Sequence, residues 1–237
     1  MKKWKRRMVL GVIAITMALG LALSPGLVKA DTLADIMALG SNGIRIDDKL
    51  FYNFAYIPSG GAPTAAQITF TPITTAGDPG FQLNTLWFAD SGQIIDSFLT
   101  YNVRVLPGGS PIKDVSSSFG GVGQLGTGAA SLGENVFLGN DNTGANIANI
   151  NLLFNTSNSN LFQEVDLTDP ITHLPISTLG PIFVVKDFGA RGGTGSAQFS
   201  SVTNQFSEKV PEPMSLILLG SGLAGVGLYR RLRKPKG

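Results

Sequence analysis

The sequence predicts an all-β protein: an antiparallel β-sandwich, jelly-roll-like or Ig-like, flanked by an N-terminal signal helix and a C-terminal single transmembrane helix. Three observations predict it. Nine short segments between residues 49 and 206 are rich in aromatic, β-branched and Thr residues, clusters of Gly, Pro, Asn and Asp separate them, and the strongly apolar runs lie at the two ends of the chain.

Residues 1–30 read as a secretory signal peptide. Lys2, Lys3, Lys5, Arg6 and Arg7 form the positive region, residues 8–23 the apolar stretch, and Val28-Lys29-Ala30 a cleavage site preceded by helix-breaking Ser24, Pro25 and Gly26. Export through the Sec translocon and a signal-peptidase cut between Ala30 and Asp31 follow as expectations. Residues 32–39 space Leu33, Ile36, Met37 and Leu39 on one helical face, capped by Asp31 or Thr32 and ended by Gly40.

The strands are expected at 49–57, 67–73, 81–89, 98–106, 112–118, 135–138, 147–154, 181–188 and 196–206. In 98–106, Leu99, Tyr101, Val103 and Val105 alternate with Thr100, Asn102 and Arg104, the period-two pattern of a half-buried strand. Turns fall at 58–61, 77–80, 90–92, 107–109 and 139–144, where Gly and Asn supply positive φ and Pro a fixed one. The stretch 120–133 carries six glycines, which predicts a long loop or loosely paired edge dividing the two halves of the sandwich. Residues 31–209 thus form one exported domain, with 208–210 as a linker.

Residues 210–237 differ in kind. Val210, Pro211, Glu212 and Pro213 precede an uncharged run at 214–229, and Arg230, Arg231, Arg233, Lys234 and Lys236 follow it. The prolines remove backbone donors and hold their neighbours extended, which leaves the segment accessible to a protease. At 16 residues the run covers about 24 Å as a helix, short of the roughly 30 Å apolar core of a bilayer. The basic cluster prefers the cytoplasmic side and places the bulk of the chain outside the inner membrane.

Pro211-Glu212-Pro213, a Gly-containing apolar helix and a terminal arginine cluster, in that order, resemble the PEP-CTERM sorting signal of bacterial envelope proteins. The resemblance implies a membrane-embedded exosortase as partner, transient residence in the inner membrane, and removal of the tail on the way to the cell surface or extracellular matrix. It also implies an association with exopolysaccharide and biofilm. The same segment occurs on some ice-binding proteins, so it names a route and not an activity. Segments 43–54, 183–187 and 199–207 are similar to stretches in other PEP-CTERM proteins of unassigned activity. A permanently membrane-anchored surface protein is the alternative reading of the tail.

Between Asp31 and Glu212 lie all sixteen acidic residues against seven basic ones, a net of −9 on the exported part. That charge disfavours nucleic acid, and the cations are dispersed along the chain. Cysteine is absent, so no disulfide or thiolate metal site contributes.

Catalytic patterns are sparse. His173 is the one histidine, and 129–133 has a small-x-Ser-x-Gly outline around Ser131, followed by Asp166, Asp169 and His173 in hydrolase order. An elbow nucleophile needs a strand feeding a helix, and the Gly-rich context predicts neither, so a secreted serine hydrolase is the disfavoured alternative. Asp47 and Asp48 read as a turn partnering Arg45 or Lys49. Asn140, Asp141, Asn142, Thr143 and Gly144 offer oxygen ligands for Ca²⁺ without the spacing of a calcium loop. Trp87, Tyr52, Tyr56 and Tyr101 suit sugar stacking if exposed, but strand positions favour the core. Thr69, Thr71, Thr74 and Thr75 outline a flat threonine surface of the ice-binding kind. The sequence therefore predicts a non-enzymatic exported protein with no cofactor, and the resemblance points to exopolysaccharide as ligand.

Overall fold

The computed structural model of the protein describes residues 31–208. The signal peptide expected at 1–30 and the transmembrane helix expected at 214–229 lie outside the described residues. Among those described, no helix is long and apolar enough to cross a membrane.

In chain order the elements are β1 (Asp31–Thr32), α1 (Leu33–Ala38), β2 (Ile44–Ile46), β3 (Lys49–Ser59), β4 (Thr69–Thr75), β5 (Asp78–Ala89), β6 (Ile94–Val105) and β7 (Ile112–Gly120). Then follow β8 (Gly123–Leu125), β9 (Ala129–Leu138), β10 (Asn146–Asn155), β11 (Asn158–Asn160), β12 (Phe162–Asp166), β13 (Ile182–Arg191) and β14 (Ser196–Glu208). They form two antiparallel sheets. The first runs β1-β4-β5-β14-β7-β12, with β8 also paired to β14, and the second runs β11-β10-β9-β13-β6-β3-β2. The expected sandwich is present.

Helix α1 forms as predicted. Thr32 caps it with a reciprocal capping box to Asp35, and Leu33 and Ile36 enter the core. The turn at Asp47 and Asp48 joins β2 to β3, with Asp47 at φ 54°. Strand β3 buries both Phe51 and Phe54, three residues apart, because a bulge between Tyr52 and Ala55 with Asn53 at φ 54° shifts the alternation by one.

Several sequence expectations need correction. The predicted turn at 77–80 is narrower, since Asp78, Pro79 and Gly80 already belong to β5. Gly80 is required there, because a Cβ would collide with the Asn204 carbonyl of the adjacent β14. The glycine-rich stretch is only partly a loop. It crosses from the first sheet to the second, but Ala129–Leu138 is an interior strand between β10 and β13, and begins six residues before the predicted start at 135. Its neighbours supply the ladder that the small residues cannot signal. Strand β6 begins at Ile94 instead of 98, and β1, β2, β11 and β12 had no clear pattern, being short or at sheet margins.

The interior is aromatic. Phe54 stacks on Tyr101 at 5.1 Å and Phe70 on Phe81 at 4.9 Å, with Phe51 and Phe206 completing the group. A second group stacks Trp87 on Phe199 at 4.8 Å, with Phe119 and Phe188 against it. Two polar ends meet at one oxygen: Trp87 Nε1 donates to Ser97 Oγ at 3.2 Å, and Tyr56 OH meets the same oxygen at 2.8 Å, while the buried Tyr101 hydroxyl has no hydrogen-bond partner. Lys186 is no dispersed surface cation. It is fully buried, 2.9 Å from the buried carboxylate of Glu134.

Phe81 touches four aromatic neighbours, whereas Phe88 stands 42% exposed on the outer side of β5. Phe81→Ala is therefore expected to cost about 3–5 kcal/mol of unfolding free energy. Phe88→Ala should stay within about 0.5 kcal/mol. Urea unfolding followed by far-UV circular dichroism measures both.

Candidate functional site

The outer face of the second sheet has a floor set by register. One row across it reads Ile57, Phe98, Asp187, Gly133 and Asn151, and the next reads Ser59, Asp96, Gly189, Ser131 and Leu153. Side chains of alternate residues stand on this face, while Leu99, Val184, Phe188, Leu132 and Leu152 point into the core. Gly189 leaves the middle of the second row, and Gly133 the place beside Asp187 in the first, without a side chain. Over the second row lies a cleft of about 490 Å³, lined by Ser59, Ile94, Asp96, Ser131, Leu153 and Arg191.

Gly189 is there for a local reason. A Cβ would collide with the Ile95 carbonyl and crowd Asp96 Oδ1, so β6 and β13 approach closely at that point. Asp187 therefore faces Asp96 across a gap that holds no side chain. Burial and then the facing Asp96 carboxyl push the Asp187 carboxyl up to about 6. Apolar groups form the rim: Ile57 and Ile94 are 64% and 62% exposed, and Phe98 and Leu153 stand half out of the sheet. The face thus combines acceptors in two carboxylates, donors in Arg191 and Ser131, and apolar edges. That set suits a polyhydroxylated chain lying across the strands, whose hydroxyls bond to the floor and whose CH faces rest on the rim.

The residues singled out from sequence are scattered. Ser131 stands on β9 opposite Gly189 and Leu153, in an extended strand with no helix after it. His173 lines a different cleft of about 290 Å³, with Asn146, Asn149 and Thr168. The hydrolase arrangement is not assembled. Asp169 shapes the turn instead: its carboxylate accepts from the Ile171 and Thr172 amides, and these hold it below the usual carboxylate range. Asp166 lies 3.8 Å from Lys113.

Asp48 and Lys49 pair as expected, and the ammonium of Lys49 also binds Glu208 at 2.7 Å, while Arg45 donates to the Asp47 carbonyl at 2.8 Å. The carboxylates of Asp47, Asp48 and Glu208 lie within 4.8 Å of one another, but the buried Lys49 ammonium already bridges two of them. In the 140–144 loop, Asp141 accepts from the backbone and hydroxyl of Thr143, and Asn140 Oδ1 accepts from Tyr52 OH at 3.1 Å. Trp87, Tyr56 and Tyr101 belong to the core, and Tyr52 lies under Arg104 at 5.6 Å. Thr69 and Thr71 share a face of β4, whereas Thr74 falls on the opposite parity, so the four threonines do not make one surface.

Asp96, Asp187, Arg191 and Phe98 were not recognisable as a group. Period-two parity puts Asp187 and Arg191 on the polar side of 181–191, but what lies opposite each on β6 is a matter of register, which a single sequence does not show.

Residues 209–234 match the PEP-CTERM protein-sorting motif, in agreement with the sequence reading of Pro211, Glu212, Pro213 and the basic tail. This is the address of exosortase-sorted surface proteins. No curated protein matches the chain. Similar solved structures include TmCBM61 in complex with β-1,4-galactotriose, at TM-score 0.31 and 9% identity over 65% of this chain and 88% of that one. The mannan-recognising carbohydrate-binding module TmCBM27 gives 0.30 and 9% over 68% and 99%. The family 11 carbohydrate-binding module of Clostridium thermocellum, in complex with a mixed-linked tetrasaccharide, gives 0.26 and 10% over 68% and 91%. Scores this low transfer nothing from those proteins to this one.

The acid pair has a signature in stability. The folded-state value of about 6 for Asp187 lies above the ordinary carboxylate value of about 3.9, so the unfolded chain releases this proton first as pH rises. The pair therefore costs stability progressively between about pH 4 and pH 6, and the cost persists above. Asp96→Asn should remove the share that the facing carboxyl contributes and leave that of burial: the variant gains on wild type as pH rises through that window, by urea midpoints at matched pH. Carboxyl NMR titration should show Asp187 moving back toward the ordinary range in the same variant.

Proposed function

We propose that the protein is a non-catalytic surface or extracellular-matrix protein, delivered through its exosortase address, that binds an exopolysaccharide across the outer face of the second sheet. The observation that carries the binding assignment is the cleft floored by Gly189 between β6, β13 and β9, lined by Asp96, Arg191 and Ser131 with Ile94 and Leu153, beside which Asp187 and Phe98 stand in the adjoining row. Each sugar ring presents hydroxyls and a CH face; the cleft presents acceptors and donors, and Phe98 stands in the adjoining row. Affinity from such an open face is modest for one sugar and grows with the number of rings engaged.

The route is carried by the ends of the chain. In this reading, signal peptidase cuts between Ala30 and Asp31 after Sec passage. The tail at 214–229 then holds the precursor in the inner membrane with Arg230, Arg231, Arg233 and Lys234 inside, and exosortase acts near Val210, Pro211, Glu212 and Pro213. β14 ends at Glu208, and in this reading removal of the tail leaves the sandwich whole.

Two measurements test the proposal. Purified protein screened against polysaccharides of exopolysaccharide type should bind at least one without releasing shorter products. Phe98→Ala and Asp187→Ala should each weaken that binding about tenfold, close to 1.4 kcal/mol, with Phe88→Ala unchanged. Retention of affinity by both variants would move the site elsewhere. Mass spectrometry of the cell-associated form should find the terminal arginines gone, and a form that keeps residues 214–237 would establish the permanent anchor instead.

A further inference from the structure

Two cross-strand pairs face each other across the middle of the sandwich. On β13 and β9 of the second sheet, Lys186 stands directly opposite Glu134. On β14 and β7 of the first sheet, Asn204 stands directly opposite Ser117. All four are buried, at 1% exposure or less. Lys186 Nζ lies 2.9 Å from Glu134 Oε2 and also donates to Ser117 Oγ. Asn204 Nδ2 donates to Glu134 Oε1 at 3.2 Å and to the Ser116 carbonyl at 2.8 Å, and lies 3.5 Å from the same Ser117 hydroxyl. One carboxylate therefore holds both an amine and a carboxamide, from opposite sheets, in a place closed to water.

We infer that Lys186 and Asn204 become joined by an intramolecular amide bond between Nζ and Cγ, with Glu134 carrying the protons. Two features beyond proximity favour the reaction. Asn204 Oδ1 is buried with no hydrogen-bond partner, so the carboxamide is not held in a fully satisfied state. Burial also pulls the Lys186 ammonium below its ordinary range, against the opposing pull of Glu134, which favours the neutral and nucleophilic amine.

The step balances within the cluster. A proton passes from Lys186 Nζ to Glu134, leaving a neutral amine. The nitrogen lone pair attacks Cγ of Asn204, the Cγ–Nδ2 bond breaks, and Nδ2 departs as ammonia after receiving a proton from Glu134 while Glu134 takes the remaining proton released by Nζ. Amine and carboxamide give a secondary amide and ammonia, with no oxidant and no external reactant. The product has no ammonium in the core, which removes the desolvation cost of the buried ion pair. It ties β13 to β14 and hence the second sheet to the first, in a chain without cysteine.

Lys49 supplies an internal contrast. It is equally buried, but its partners are the carboxylates of Asp48 and Glu208 and the Ser110 carbonyl, with no carboxamide among them. It remains an ion pair.

Tryptic mapping of the purified full chain under denaturing conditions tests the bond regardless of how the ends are processed. Acylated Lys186 is not cut, so wild type should yield residues 114–191 joined to residues 192–209, lighter than the two peptides together by one ammonia. Asn204→Asp should give the same joined mass, now by loss of water. Glu134→Gln and Lys186→Arg should give the unjoined peptides. If folded wild-type protein releases free 114–186 and 192–209 with Asn204 intact, the inference is overturned. That measurement decides the matter even where a variant fails to fold.

Discussion

The register of β13 between β6 and β9 is the constraint on which the rest depends. In that register Lys186 points inward opposite Glu134, while Asp187, the next residue, points outward beside Gly133 and toward Asp96. Interior cluster and outer cleft are thus the two sides of the same pairing. A slip by one residue would carry an aspartate into the core as an unpaired buried charge, and would move the lysine out to the cleft, leaving the Glu134 carboxylate buried without its partner. The penalty for slipping is a reason the register holds in a sheet whose central strands carry Gly133 and Gly189, residues that contribute little packing of their own.

Polar groups are divided between inside and outside with different consequences. On the outer face, Asp96 and Asp187 are held together at a cost, and carboxylates that repel each other present strong acceptors to a ligand. In the interior, Lys186, Glu134, Ser117 and Asn204 satisfy most of one another's bonding, and around them the aromatic groups of Tyr101 and Phe206 exclude water. A buried cluster of this kind fixes how the sheets sit against each other more strictly than apolar side chains alone, because its directions and distances are specified.

The last strand connects the fold to its route of export. β14 lies between β5 and β7, in the middle of the first sheet, and carries Phe199, Val202, Asn204 and Phe206 into the core. It runs to Glu208, which Lys49 binds at 2.7 Å and whose amide donates to the Gly77 carbonyl. The matched sorting motif begins at the next residue. The first sheet therefore needs the chain up to the residue that precedes the matched motif.

The sequence by itself determined what depends on local chemistry: strand-forming segments, turns at 107–109 and 139–144, the short helix capped by Thr32, and the C-terminal end that carries the sorting motif. Period-two alternation in 98–106 put Leu99, Tyr101 and Val103 in the core, and each is fully buried. Where glycines thin the pattern, as in 129–134, the strand was not legible, because its neighbours β10 and β13 hold it in place. Tertiary structure alone decided that Lys186 is interior, that Asn204 comes to the same carboxylate from the other sheet, and that Asp96 faces Asp187. Such meetings are set by register and by which sheet a strand joins. Those are properties of pairs of segments far apart in the chain, and no single segment carries them.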